Sequence, residues 1–196
     1  MTPEIRAFEF ALGLFTVLIG LAIADVATSL HRLIRHSASV RWDPLTLLAA
    51  LFALLMAVGM WFDLWGIRHA TSVRHFYFYL VLVAAFFVLF LIAASSLPDE
   101  AVGPIDLRTF YERNRRYFWL LVTVFQVFYV VLGCYFLRSV IDRIPRAVMV
   151  PIFVQWAALI IVPATLLLVR SRRVHYVGLA LLFAVVLWHY YRYSIN

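Results

Sequence analysis

FYFYLVLVAAFFVLFLIAASSL, the stretch at residues 76–97, contains no charged residue from end to end. A helix needs about 20 predominantly apolar residues to cross the hydrocarbon core of a bilayer, and this stretch reaches that length. A strand of a membrane β-barrel would instead alternate apolar and polar residues over about ten positions. Because the stretch is continuously apolar, it predicts a transmembrane helix.

Five similar apolar runs, each bounded by charged residues, lie on either side of this stretch. They cover, approximately, residues 8–30, 44–66, 107–137, 147–169 and 174–191. The chain of 196 residues is 65% hydrophobic and 14% charged, whereas a soluble domain is about 25% charged. Since the connections are short, we expect an all-α integral membrane protein: a compact bundle of six transmembrane helices, forming a single domain over residues 1–196.

The six runs divide into two groups of three, which allows a 3+3 inverted repeat of the kind found in many transporters. Pro44 and Pro151 each lie near the start of the second run of their group. The dipeptides Thr16-Val17 and Thr123-Val124 are separated by the same number of residues as Pro44 and Pro151. The third runs of the two groups do not keep that separation. The inverted repeat is therefore a hypothesis that rests on these two correspondences alone.

The amino-acid usage excludes several classes of enzyme. All 17 basic residues are arginine, so the chain has no lysine to form a Schiff base with retinal or pyridoxal phosphate. The sequence also lacks a phosphate-binding Gly-x-x-x-x-Gly-Lys loop, a His-Glu-x-x-His zinc motif and a Gly-x-Ser-x-Gly elbow. Cys134 is the single cysteine. We therefore expect no enzymatic activity, no cofactor and no metal site.

The net charge of +7 comes from arginines at the ends of the apolar runs, where anionic lipid headgroups are the natural partner. No segment outside the runs is long enough to build a nucleic-acid-binding face. Six helices place both termini on one side, which we call face A, with seven arginines; the opposite side, face B, has ten. The positive-inside rule makes face B cytoplasmic. The pattern resembles that of small bacterial multi-pass proteins, so we expect the bacterial cytoplasmic (inner) membrane.

Carboxylates inside apolar runs are the first candidates for function, because a charge at the centre of a membrane helix costs about 2.5–3.5 kcal/mol. Glu9 and Asp63 are expected near face A, and Asp25 toward face B. The neutral polar residues Thr16 and Gln126 lie between these levels. Such a series could form an ion pathway with acidic mouths. Structural ion pairs and interhelical hydrogen bonds are the alternative roles of the same residues.

Two further patterns concern partners. The stretch 107–116 predicts an amphipathic start to the fourth helix, and its arginines are expected to contact lipid headgroups or a partner membrane protein: Arg108, Arg113, Arg115 and Arg116. On the first helix, small residues recur every four positions, at Thr16, Gly20, Ala24 and Thr28. Such a ridge packs helices closely, within one chain or between copies.

The histidines give a weaker pattern. His175 and His189 are fourteen residues apart on the sixth run, which resembles the spacing of two haem ligands on one helix of a b-type cytochrome. The second ligands would be His31 or His36 at one level and His69 or His75 at the other. Histidines at the membrane interface are the simpler interpretation.

These observations lead to three hypotheses. The first is a small, homo-oligomeric cation or proton channel or permease with acidic residues near both membrane faces. The second is a non-catalytic membrane subunit or sensor that acts through a partner protein. The third is a b-type haem electron carrier.

Overall fold

A computed structural model describes residues 3–66, 76–99, 104–138 and 145–191. Helices dominate these ranges: α1 (Pro3–Arg35), α2 (Pro44–Gly66), α3 (Phe76–Ser96), α4 (Leu107–Arg138), α5 (Arg146–Leu168) and α6 (Arg172–Tyr191). A 3₁₀ turn (Ser37–Ser39) and the short strand β1 (Val40–Arg41) lie between α1 and α2, and a second short strand, β2 (Ile105–Asp106), precedes α4.

Each of the six helices contains a segment long and apolar enough to cross a membrane. The predicted all-α class with six membrane-spanning helices is therefore confirmed. By the length and composition of these helices, the chain is a multi-pass membrane protein.

The helix bounds follow the apolar runs closely, with differences at the ends. The fourth helix begins at Leu107, as the amphipathic pattern predicts. The first continues to Arg35 instead of ending near residue 30. Arg32 and Arg35 occupy its last turn, where cations interact favourably with the helix dipole. Pro44 is the first residue of α2, whereas Pro151 lies inside α5, so the two prolines do not occupy equivalent positions. The 3+3 inverted repeat stays a prediction.

The chain forms two compact units, Met1–Phe118 and Trp119–Asn196, called unit 1 and unit 2 below. In unit 1, α1, α2 and α3 pack against one another. Their shared core is apolar and aromatic: Phe15, Phe52 and Phe86 are almost completely buried. The rings of Phe15 and Phe86 stack with their centroids 4.9 Å apart. The centre of this helix packing is thus filled by close-packed side chains.

In unit 2, α5 packs against α6. Two glycines allow neighbouring helices to approach closely, one where α6 meets α5 and one where α4 meets α5. A Cβ on Gly178 of α6 would lie 2.8 Å from Leu166, and one on Gly133 of α4 would lie 2.6 Å from Trp156. Both distances are shorter than van der Waals contact, so a side chain at either position would require Leu166 or Trp156 to shift.

The two short strands pair in parallel, with Val40 opposite Ile105 and Arg41 opposite Asp106. The sequence gives no alternating pattern from which such short strands could be predicted. Because β1 leads into α2 and β2 leads into α4, their pairing holds the starts of these two helices side by side.

Candidate functional site: the polar end of unit 1

Polar side chains gather at the end of unit 1 where α1 and α3 end and α2 and α4 begin. We call this region the polar end; it corresponds to face B of the sequence. Among the described residues of unit 1, the buried polar and charged side chains all belong to it: Ser29, Asp43, Thr46, Ser96 and Arg115. The buried polar groups of the described part of unit 1 are thus concentrated at one end, beside an apolar core.

The central element of the polar end is a stripe on α1 formed by Asp25, Ser29 and Arg32. Arg32 donates one hydrogen bond through Nη2 to the Ser29 hydroxyl, at 3.3 Å, and one through Nη1 to the backbone carbonyl of Asp99. Its Nε is buried and has no hydrogen-bond partner among the described residues. The guanidinium is thereby held between the ends of α1 and α3.

Asp25 is half-buried and lies near enough to Arg32 and Asp99 to interact electrostatically with both. No hydrogen bond joins its carboxylate to another described residue. Asp25 therefore has one acidic neighbour, Asp99, and one basic neighbour, Arg32, close to an apolar part of α1.

Asp43 caps the start of α2. One of its carboxylate oxygens accepts hydrogen bonds from the backbone N–H of Thr46, at 3.2 Å, and from the Thr46 hydroxyl, at 3.0 Å. The same hydroxyl lies 2.9 Å from the backbone carbonyl of Leu107. A buried cap thus connects the starts of α2 and α4. The signal in the sequence is Asp-Pro-x-Thr, an N-cap residue followed by proline at the first helical position.

Asp106 caps α4 in the same manner. Its carboxylate accepts hydrogen bonds from the backbone N–H groups of Arg108 and Thr109 and from the Thr109 hydroxyl. Arg41 lies 3.7 Å away across the strand pair. Burial raises the pKa of Asp106, but these hydrogen bonds and the Arg41 charge outweigh it, so the pKa is lower than that of an ordinary aspartate.

The predicted arginine contacts of α4 divide into two kinds. Arg108, Arg113 and Arg116 are exposed, and Arg108 pairs with Glu112 at 3.2 Å. Arg115 is buried within unit 1, beside Asn114, whose amide donates a hydrogen bond to the carbonyl of Ser95. The sequence pattern groups these four arginines together because it does not reveal which of them faces the neighbouring helices.

The other predicted pathway residues lie in different places. Thr16 is exposed on α1, and its hydroxyl donates to the carbonyl of Leu12 at 2.8 Å. Asp63 is half-buried near the opposite end of α2, and Gln126 is buried in unit 2. The side chain of Glu9 lies outside the described residues.

The small-residue ridge of α1 is exposed along its whole length, at Thr16, Gly20, Ala24 and Thr28. A Cβ added to Gly20 would meet no atom within 4 Å. Within unit 1, the ridge therefore does not pack against α2 or α3. Asp25 follows Ala24 directly and lies at the edge of this exposed face.

His175 has a structural position in unit 2. Its ring is buried, and Nε2 lies 3.0 Å from the carbonyl of Val169 in the connection between α5 and α6. A nitrogen in this contact is not available as a haem ligand. His69 and His75, two of the predicted second ligands, lie outside the described side chains. Among those that are described, no group of three or more His, Cys, Asp or Glu side chains could hold a metal ion.

No protein-family model, curated protein or solved structure matches this chain significantly.

Proposed function

We propose that the protein is a small homo-oligomeric channel or permease for cations or protons, with Asp25 at one mouth of the pathway. One observation carries the proposal. The small-residue ridge of α1 is exposed with Asp25 at its edge, while the interior of unit 1 is filled by apolar side chains. In this proposal, the pathway runs along the exposed face of α1 where copies of the chain meet.

The packing of unit 1 favours a pathway between copies over one through the unit. A route between α1, α2 and α3 would have to displace the buried rings of Phe15, Phe52 and Phe86. Protein interiors are packed about as densely as organic crystals, so such a displacement is expensive. The exposed ridge needs no such rearrangement, because small residues leave space beside the helix.

The charges at the polar end favour cations. Asp25 lies ten residues before the end of α1, which is about 15 Å at about 1.5 Å per residue. A ring of such carboxylates at the mouth of a pore attracts cations and repels anions. Arg32, the basic neighbour of Asp25, is held by the Ser29 hydroxyl and the Asp99 carbonyl, and Asp99 adds a second acidic group nearby.

Ion flux in proteoliposomes tests the proposal. Wild-type protein and an Asp25→Asn variant are compared under imposed potassium and proton gradients. We expect a flux in the wild type that falls about tenfold or more in the variant, which corresponds to about 1.4 kcal/mol or more at the rate-limiting barrier. The matched control is Glu112→Gln, which removes an exposed acidic group of α4 and leaves the flux unchanged.

Equal flux in wild type and Asp25→Asn would contradict the role of Asp25. Absence of flux in folded, oriented wild-type protein would contradict the channel itself. Asp63→Asn is the third variant of the series, because Asp63 is the described acidic residue expected near face A.

A second candidate function is a non-catalytic subunit or sensor that acts through a partner membrane protein. The exposure of Arg108, Arg113 and Arg116 beside the strand pair favours it, since these guanidinium groups can reach an acidic surface. If this function is right, replacing all three arginines by glutamine abolishes co-purification of one defined partner protein, and the proteoliposome assay shows no ion flux. Recovery that is unchanged in the triple variant would exclude this docking surface.

A further inference from the structure

A groove between α5 and α6 of unit 2 has a volume of about 670 Å³ and an almost entirely apolar lining. Pockets that bind small organic molecules measure about 300–1,000 Å³. The floor includes the small side chains of Ala158 and Ala184, and Trp188 and His189 lie at one end. The groove does not involve the polar end of unit 1.

Gln155 is the feature that distinguishes this groove from an ordinary lipid-facing surface. It lines the groove in the middle of its length and is half-buried. Its carboxamide has no hydrogen-bond partner among the described residues. Bilayer lipid tails cannot supply one, and an unsatisfied amide in an apolar medium is unfavourable. The groove is therefore suited to an occupant that brings a hydrogen-bonding group to Gln155.

The depth of Gln155 restricts the chemistry of that occupant. Gln155 lies nine residues after the start of α5 at Arg146, which is about 14 Å along a helix that rises about 1.5 Å per residue. The hydrocarbon core is about 30 Å thick, so Gln155 lies well below the headgroup layer. A phosphate or ammonium group at this depth would carry its charge into the hydrocarbon region. The part of the occupant that meets Gln155 must therefore be uncharged.

We propose that the α5–α6 groove binds a neutral, largely apolar small molecule whose carbonyl oxygen accepts a hydrogen bond from the Gln155 carboxamide. The apolar body lies along Ala158 and Ala184, where the side chains are small. Aromatic rings of Trp188 and His189 border the outer end. A membrane-soluble carbonyl compound such as a quinone has this chemistry.

The test uses purified full-length protein in lipid nanodiscs and decylubiquinone as the probe, with binding followed by quenching of tryptophan fluorescence. We expect saturable binding to the wild type. A Gln155→Leu variant, which keeps the side-chain volume but loses the amide, should bind about tenfold more weakly, since one hydrogen bond contributes about that factor. Ala184→Phe, which fills the groove, should abolish saturable binding.

Thr165→Val serves as the matched control, because Thr165 is an exposed polar residue of the same helix whose hydroxyl already bonds to Ile161 at 2.8 Å. It should bind as the wild type does. Equal binding by Gln155→Leu, or equally tight binding of decylbenzene, which has no carbonyl, would overturn the proposal. In a Cys134→Ser background, which removes the exposed native cysteine, a Leu181→Cys variant that forms a disulfide-linked dimer in membranes would also overturn it, since a second copy would then cover the groove.

Discussion

At the scale of single residues, the carboxylates of the polar end perform different tasks according to their surroundings. Asp43 and Asp106 accept hydrogen bonds from the first turns of α2 and α4. Asp25 makes no such bond to a described residue and has only charges near it. Helix capping thus explains the presence of Asp43 and Asp106, whereas it does not explain Asp25, which is therefore the candidate for a functional role.

The lowered pKa of Asp106 gives a prediction about pH. Its ionised form is favoured in the folded state, so its contribution to stability is complete above the unfolded pKa of about 3.9 and is lost as the pH falls through the lower folded value. Replacing Asp106 by Asn keeps a capping side chain but removes the charge. We expect the wild type to have the higher unfolding temperature at neutral pH and this advantage to disappear in acid.

Thermal unfolding of both proteins in detergent, from about pH 7 to about pH 2, measures this difference across the titration of Asp106. Glu112→Gln is the control, because the Arg108–Glu112 pair is exposed and exposed pairs contribute little. A difference between wild type and Asp106→Asn that stays constant over the whole range would contradict the assigned cause.

At the scale of the elements, the close approach of α5 and α6 depends on Gly178. An alanine there would place its Cβ 2.8 Å from Leu166, and overpacking of this kind typically costs about 1–3 kcal/mol. Alanine at Gly13 meets no atom within 4 Å and gains helix propensity. We therefore expect Gly178→Ala to lower the free energy of unfolding and Gly13→Ala to leave it unchanged or slightly raised.

Reversible unfolding in mixed detergent measures both free energies. Adding Leu166→Ala to Gly178→Ala supplies a further check, because residues in contact are not additive. The double variant should lose less stability than the sum of the two single changes. Additive losses, or equal effects of the two glycine substitutions, would show that the contact between Gly178 and Leu166 is not what limits the approach of the helices.

The sequence predicts the helices well and the strand pair not at all. The apolar run at 76–97 and the amphipathic start at Leu107 predict α3 and α4 within a few residues, because hydrophobic length and periodicity are local properties. The pairing of β1 with β2 could not be predicted, since it joins segments more than 60 positions apart and follows from the packing of α1, α2 and α3. The burial of Arg115 is hidden from sequence for the same reason.

At the scale of the whole molecule, the proposed pathway depends on assembly. The ridge of α1 is exposed, and Asp25 lies at its edge. The sequence predicts both the ridge and the carboxylate, since each is a pattern along one helix. It does not predict that the ridge stays free of α2 and α3, because that depends on which face of α1 these helices cover.

Cysteine accessibility tests this central claim most directly. In a Cys134→Ser background, which removes the single native cysteine, Ala24→Cys is exposed in sealed proteoliposomes to a small, charged, membrane-impermeant thiol reagent. Phe87→Cys is the comparison, since Phe87 is 56% exposed near the middle of α3 and should face lipid. We predict rapid modification at position 24, accompanied by a change in ion flux, and none at position 87. Failure to modify position 24 in the membrane, with modification appearing only after solubilisation, would contradict a water-filled pathway along α1.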